Sequence, residues 1–490
     1  MKFNYPDDSL ALHTDAYELS MMQTYWKQGL ANRRAVFEAF FRKMPFQNGY
    51  AVFAGLDHII RYVKQLHFTD SDIDYLKSTG QYDDDFLEYL RDFKFTGSIR
   101  SFEEGDFVFN HEPIFQVDAP IIEGQLIETA VLNILNYQIM VATKASRIKS
   151  IVGDQSVMEF GSRRAQELDA AIWGTRAAYI GGFNATSNVR AGKLFGIPIS
   201  GTHAHALVQA YRNDYDAFKA YAETHRDCVF LVDTFDTLKS GVPTAIRVVK
   251  EFGDKINFIG VRIDSGDMAY LSKRVRKMLD DAGFKDVKIF ASNGLDEKTI
   301  QNLKMQGAKI DVWGIGTKLI TAYDQPTLGA VYKLVSVEDD QGQMVDTIKL
   351  SNNVAKMSTP GKKQVWRIND RADKKSEGDY ITLDDEDPRE QDSLNMFNPN
   401  FPLQQKDVND FIARPMLKDI WKDGEYVYDE PSLDEIRDHR TASLDGLWDE
   451  YKRDLNPEVY PVDLSQKCYD NKLQMIHHIH EYVKTLGHEE

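Results

Sequence analysis

VFLVDT (229–234), INFIGVRIDS (256–265), VKIFASN (287–293) and DVWGIGT (311–317) are four apolar runs, each followed by an amphipathic helical stretch. Their near-continuous Val, Ile and Phe content is that of strands buried on both faces in a parallel sheet. Each run ends in residues that a core excludes. These are Asp233 and Asp236; Arg262-Ile263-Asp264-Ser265-Gly266-Asp267; Ser292-Asn293-Gly294; and Gly314-Ile315-Gly316-Thr317-Lys318. In a βα barrel the chemistry sits at the carboxyl ends of the strands. Polar groups gathered at the same end of four successive strands therefore predict an active site there.

Working outward, SVMEF (156–160) reads as a further strand, and GSRRAQELDAAIWGTRAAYIGG as a helix closed by Gly181-Gly182. NATSNVRAGKLFG (184–196) reads as a short helix, and IPISGTHAHA (197–206) as a strand and its mouth. At least six strand–helix units result, near the eight of a closed barrel. An open doubly wound sheet is the competing architecture. Upstream, a helix is predicted from Asp15 to Trp26, a strand over 35–43, a helix over 55–66 and short β-segments over 97–122. A long apolar-periodic helix over 124–148 leads into the barrel. Beyond about 335 the pattern breaks into a hairpin turning at Asp339–Gly342, a basic turn and strand over 356–368, and an acidic loop over 384–392. The end, 431–487, reads as helices separated by Pro457 and Pro461. Three regions follow: an α+β domain over 1–125, an α/β barrel over 126–335, and a β-hairpin and helical region over 336–490.

Composition limits the function. The 490-residue chain is 42% hydrophobic, enough for a large core, yet has no apolar run of membrane-spanning length. The leading MKFNYPDDSLALHTDAY lacks the apolar segment of a secretory signal. Two cysteines, Cys228 and Cys468, make no disulfide framework and suit a reducing compartment, hence the cytoplasm. A net charge of -17 argues against nucleic acid or a membrane surface as general partner. An anionic substrate would need locally concentrated positive charge, which Arg163, Arg164, Arg262 and Lys318 can supply.

His203 and His205 sit in Gly201-Thr202-His203-Ala204-His205 at the exit of IPIS. Two residues apart in an extended segment, they are expected to point the same way. Either one faces the cleft as nucleophile or acid–base group, or both are structural. A zinc site is weaker, since no third ligand lies at local spacing. Arg262, Asp264 and Asp267 close a strand of Ile, Val and Phe, where a carboxylate suits ribose hydroxyls or a magnesium-bound phosphate. Gly294 and Gly316-Thr317 suit close approach of phosphate to backbone N–H groups. Phe160 offers a stacking face, and Arg163 or Arg164 a bidentate anion fork.

Seven motifs, taken together, resemble the bacterial nicotinate phosphoribosyltransferase family. They are Thr14-Asp15-Ala16-Tyr17-Glu18-Leu19-Ser20-Met21, Glu159-Phe160-Gly161-Ser162-Arg163-Arg164, Thr186-Ser187-Asn188-Val189, the Gly201–His205 stretch, Arg262–Asp267, Ser292-Asn293-Gly294-Leu295 and Gly314-Ile315-Gly316-Thr317. The resemblance implies a type II phosphoribosyltransferase fold, with an irregular α/β barrel, an N-terminal domain and C-terminal segments packing on that domain. It implies transfer of phosphoribosyl from phosphoribosyl pyrophosphate to nicotinate in NAD salvage. It also implies ATP as co-substrate, Mg²⁺, and a homodimer with shared active sites. By the same resemblance, His205 is the phosphorylated histidine. Phe160 and Tyr17 sandwich the pyridine ring, with Tyr17 reaching across from the other subunit. Arg163 and Asp264 contact ribose or phosphate, and Arg262 the ring or pyrophosphate. Thr202, Asn293, Gly294, Gly316 and Thr317 join the substrate-binding set. The residues that hold Mg²⁺ stay open, as does the role of His203, where relatives often carry an apolar residue.

Rival activities divide on single residues. Nicotinamide phosphoribosyltransferases use an aspartate toward the neutral carboxamide, and the matching residue here is Ser187. A carboxylate there would repel nicotinate, whereas a hydroxyl donates a hydrogen bond to it. A quinolinate-specific enzyme would need a more basic pocket. A phosphosugar aldolase would need a Schiff-base lysine within a strand, and Lys288 lies at the wrong end of its strand. A non-catalytic nucleotide-binding protein would not be expected to keep both His205 and Asp264.

Overall fold

The computed structural model describes residues 9–351 and 357–486. The leading residues 1–8 and Lys356, at the start of the basic turn, lie outside them. The chain divides into two compact units, Met1–Met140 with Thr327–Glu490, and Val141–Pro326.

The second unit is the barrel. Its strands are β1 (Ser156–Glu159), β2 (Ala185–Thr186), β3 (Asp227–Leu231), β4 (Asn257–Ile263), β5 (Lys288–Ser292) and β6 (Val312–Ile315). They form one parallel sheet in the order β2-β1-β6-β5-β4-β3. From β3 to β6, and from β1 to β2, each crossover steps in the same direction along this order. Right-handed crossovers that all step one way put every helix on one face. A doubly wound sheet instead reverses direction at its switch point. The order is therefore that of a barrel, curled and open between β2 and β3.

Apolar side chains of the strands pack against the helices that follow them: Phe230, Val261, Ile263 and Ile289 join Phe218, Val248 and Val275 in one buried core, and Val157, Trp313 and Ile315 are buried as well. The helices that follow the strands are α1 (Glu167–Ile180), α2 (Val189–Phe195), α3 (His205–Tyr211), α4 (Asp214–Thr224), α5 (Val242–Phe252), α6 (Met268–Asp281), α7 (Glu297–Met305) and α8 (Thr317–Ile320).

Two expectations change here. The helix expected over 184–196 begins only at Val189, capped by the Asn188 side chain, and the residues before it form β2. The strand expected at IPIS reduces to one bridge, Ile199 to Thr186. Pro198 has no N–H to give a ladder, although its carbonyl accepts from Thr186 N at 3.0 Å.

The first unit is built on a seven-stranded antiparallel sheet. Arg34–Phe41 lies between Ala330–Glu338 and Phe115–Pro120, so the hairpin after residue 329 pairs with the N-terminal strand. The hairpin turn falls at Asp339–Gly342, as its sequence predicts. The region after 362 holds more β-structure than its sequence suggests. Phe411–Pro415, Lys363–Asp370, Ser376–Leu383 and Val462–Leu464 form a four-stranded sheet. Its core ion pair, Arg367 with Asp379 at 2.7 Å, is buried beside the stacked rings of Phe109 and Tyr460. Short strands stitched by polar pairs leave little apolar periodicity to read.

Candidate active site

Arg262 and Asp264 are two residues apart at the end of β4, so their side chains leave the same face of the strand. The Arg262 guanidinium makes three directed hydrogen bonds. Nε donates to Ser292 Oγ at 2.9 Å, Nη1 to Thr202 Oγ1 at 3.0 Å and Nη2 to Asp264 Oδ1 at 2.9 Å. One planar fork thus ties the ends of β4 and β5 to the Thr202 loop. Its central carbon stands 5.7 Å from the centre of the Phe160 ring, within cation–π range. Phe160 follows β1 and donates its backbone N–H to Ile315 O at 2.7 Å. Room for the ring comes from Gly314, where a Cβ would meet two Phe160 ring carbons at 2.6 Å.

Asp264 is the hub. Its carboxylate accepts from Arg262 and from the Ser292 hydroxyl, and its backbone N–H donates to Asp233 Oδ2 at 2.9 Å. The Asn293 amide donates to the Asp264 carbonyl at 3.1 Å. Asp233 Oδ2 also accepts from Ser265 Oγ at 2.6 Å, while Asp233 Oδ1 is shut from solvent without a partner among the described residues. His205 lies beside this pair. Its Nδ1 is 3.0 Å from Thr234 Oγ1, and its Nε2 is 4.0 Å from Asp264 Oδ2.

The two histidines do not face the same way. His205 opens α3 and is part-exposed, whereas His203 is only 7% exposed. The His203 ring packs against Phe218, Tyr221 and Phe230, and its Nε2 accepts from Leu231 N at 3.1 Å. The start of a helix at His205 ends the extended spacing on which the co-facing expectation rested. Burial, opposed by the Ala204 carbonyl and aided by the neighbouring Arg262, His205 and His225, pulls the His203 pKa down to about 4. Two other strand-end acids are caps. Asp236 accepts from Leu238 N and Lys239 N, and Asp267 accepts from Tyr270 N to start α6.

The glycine loops lie at the ends of β5 and β6. Asn293 and Gly294 both have left-handed backbone, at φ 83° and 68°. Space around Gly294 is open, so conformation alone favours glycine there. Gly316 precedes the single turn of α8, and Thr317, its first residue, is exposed. Lys318 is not available as a loose cation, since its Nζ binds Asp296 Oδ2 at 2.5 Å. Burial raises the Asp296 pKa, but Lys318 and the Thr299 donors outweigh it and hold that carboxyl below its usual range. Arg163 and Arg164 are exposed on the turn Ser162–Arg164, and neither has an ion pair among the described residues. Ser187 is exposed just after β2, with its N–H on Glu159 O at 2.9 Å. Tyr17 stands in the other unit, on the helix Ala16–Lys27, and is 49% exposed. Burial and the nearby Glu128, Glu18 and Asp15 carboxylates push its phenol pKa up.

Sequence reasoning gave no role to Glu159, Ser292 or Thr234. Buried Glu159 accepts from Thr175 Oγ1 at 3.0 Å, Thr186 Oγ1 at 2.6 Å and the Gly161 N–H. It holds the turns carrying Phe160 and Ser187 together, and burial raises its pKa. A carboxylate directly before Phe160 at the end of an apolar strand was the available signal. No group of three or more His, Cys, Asp or Glu able to hold a metal is found among the described residues.

Family models match three stretches of the chain. The N-terminal domain of nicotinate phosphoribosyltransferase matches residues 12–136, the nicotinate phosphoribosyltransferase family 155–387 and its C-terminal domain 362–472. A Bacillus subtilis nicotinate phosphoribosyltransferase is 59% identical over the full length of both chains. One from Mycobacterium tuberculosis is 37% identical, covering 95% of this chain and 94% of its own. Among solved structures, human nicotinic acid phosphoribosyltransferase superposes with a TM-score of 0.81 at 27% identity, covering 95% of this chain and 99% of its own.

Proposed function

We propose, from the premise that this chain belongs to the nicotinate phosphoribosyltransferase family, that the barrel mouth around Arg262 and Asp264 is where its reaction takes place. The enzyme transfers phosphoribosyl from phosphoribosyl pyrophosphate to nicotinate, giving nicotinate mononucleotide and pyrophosphate for NAD synthesis. The pyridine nitrogen is itself the nucleophile, so no general base is required. The protein must hold the ring in line with ribose C1 while pyrophosphate departs and C1 becomes oxocarbenium-like. Positioning of this kind is worth about 7–11 kcal/mol in favourable cases.

The observation that carries this assignment is the three-way grip of Arg262 on Ser292, Thr202 and Asp264 beneath the Phe160 face. Phe160 stacks the pyridine ring, and Arg262 lies beside it to meet ring or pyrophosphate. Asp264 receives ribose hydroxyls. Arg163 stands free to meet the nicotinate or phosphate anion, and Ser187 to donate to the carboxylate. Asn293, Gly294, Gly316 and Thr317 cradle the product phosphate, and Thr202 keeps Arg262 oriented. Tyr17, half exposed, closes the sandwich from a second copy in a homodimer.

Mg²⁺ fits this donor set. Among the described residues Asp233 Oδ1 has no partner and Asp264 Oδ2 accepts no hydrogen bond, and a cation that keeps water and phosphate ligands needs only one or two carboxylates. When bound, it would neutralise charge on the departing pyrophosphate.

ATP coupling would run through His205. With Nδ1 held by Thr234, Nε2 is the nitrogen free to take the γ-phosphoryl group as ADP leaves. The phosphorylated ring would place a dianion beside Asp264, where it would tighten the hold of Arg262 on the substrate and add an oxygen ligand for Mg²⁺. No helix among the described residues is long and apolar enough to cross a membrane, and both cysteines are free and buried, in keeping with a cytoplasmic enzyme. The deciding experiment measures nicotinate mononucleotide formation with and without ATP, using nicotinamide as competitor. Absence of product from nicotinate, or preference for nicotinamide, refutes the assignment.

A further inference from the structure

The barrel's open seam has an unusual fastening. Among the described residues strand β3 pairs only with β4, and β2 is the sheet's other edge. Val232 N–H points to β4, where it reaches Arg262 O at 3.1 Å, so the N–H of Leu231 points the other way, into the seam. Leu231 is buried, and a buried N–H without a partner is costly. No strand supplies the acceptor. His203 does, through Nε2 at 3.1 Å.

The same loop is tied to the opposite edge by backbone. Thr186 N donates to Pro198 O at 3.0 Å, and Ser200 N donates to Thr186 O at 2.8 Å. Segment 198–203 therefore spans the gap, bonded to β2 through main chain and to β3 through one imidazole. The tautomer is fixed by the acceptor role of Nε2. The proton belongs on Nδ1, which faces Ala204 O at 3.4 Å. Rings of Phe218, Tyr221 and Phe230 hold the imidazole in place. On either side of this anchor in the chain stand Thr202, which orients Arg262, and His205, which faces Asp264.

We propose that His203 is a positioning residue: its neutral imidazole closes the barrel seam onto Leu231 and thereby sets Thr202 and His205 in register with Arg262 and Asp264. This role rests on the reading that phosphoribosyl transfer occurs at this mouth. His203 itself touches neither substrate nor the transferred phosphoryl group.

The test uses two variants of the full chain. His203→Phe keeps a flat ring among the aromatic neighbours but removes the acceptor. His203→Gln can bring an amide oxygen to the place of Nε2. Nicotinate mononucleotide formation is followed with and without ATP, and hydrogen exchange is read on peptides covering 198–206 and 228–234. His203→Phe is expected to exchange faster in those two segments and not elsewhere. Its kcat should fall at least about tenfold, as expected for reacting groups displaced by a fraction of an ångström. Its rate ratio with and without ATP should fall toward one, because His205 has lost its register. His203→Gln should recover slow exchange and most of the ATP response. Wild-type exchange and ATP response in His203→Phe would overturn the proposal. Should that variant not fold, a His203→Gln enzyme that folds and exchanges fast in those segments yet keeps the full ATP response would overturn it equally. An inactive wild-type chain would overturn the functional reading and the positioning role with it, while leaving the exchange difference at Leu231, so the two failures are distinguishable.

Discussion

Replacing Gly314 with alanine tests the ring-binding face with the smallest possible change. The added Cβ would lie 2.6 Å from Phe160 Cδ2 and Cε2 and 3.2 Å from Ser292 Cβ. Carbon pairs rest at about 3.5–4.0 Å, so the ring must retreat by about 1 Å. Ser292 cannot give way freely, because its hydroxyl joins Arg262 to Asp264. Overpacking of this kind costs about 1–3 kcal/mol of stability. A 1 Å displacement at a reacting centre can cost about 100-fold in rate. Gly314→Ala should therefore raise the KM for nicotinate and lower kcat/KM by about 10- to 100-fold, with a smaller effect on the KM for phosphoribosyl pyrophosphate. Steady-state kinetics in both substrates, with urea unfolding alongside, gives these values. The sharper measurement is a double-mutant cycle with Phe160→Ala. Without the ring, the extra methyl has room, so the two substitutions should be non-additive by about 1–2 kcal/mol. Additive effects, or an unchanged nicotinate KM in Gly314→Ala, would refute the claim that Gly314 exists to seat Phe160.

Other outcomes are expected from the same geometry. His205→Ala should abolish ATP hydrolysis while leaving slow ATP-independent transfer; unchanged ATP stimulation contradicts the role given to His205. Ser187→Asp should depress kcat/KM for nicotinate by at least about tenfold, since like charges placed together cost over a kcal/mol when partly desolvated, and nicotinamide turnover should fall far less. Neutral, buried His203 has its pKa lowered from 6.5 to about 4, so its contribution to stability is present above pH 6.5 and is lost as pH falls toward 4. At about 1.4 kcal/mol per pH unit, the loss approaches about 3 kcal/mol. Urea unfolding at pH 7, 5.5 and 4.5 should show a shallower acid loss in His203→Phe than in wild type, and equal slopes would contradict it.

Much of the barrel was legible because buried parallel strands advertise themselves. The runs ending at Ile263, Ser292 and Ile315 match their strands to within a few residues, since each must be apolar on both faces. The residues at their ends were legible too, because a charge directly after such a run has only the barrel mouth to face. Sequence could not supply what depends on partners distant in the chain. Nothing local distinguishes Asp264, the hub, from Asp267, the helix cap three residues on. Lys318 reads as a loose cation until Asp296 is found beside it. The histidine pair reads as one extended unit, yet a helix start at His205 sends the two rings to different tasks. His203 is buried on aromatic side chains of α4 and β3, which no spacing within Gly201–His205 encodes. Local composition fixes which segments are apolar enough to be strands, whereas the role of each polar group depends on whether tertiary packing gives it a partner, a solvent path or neither.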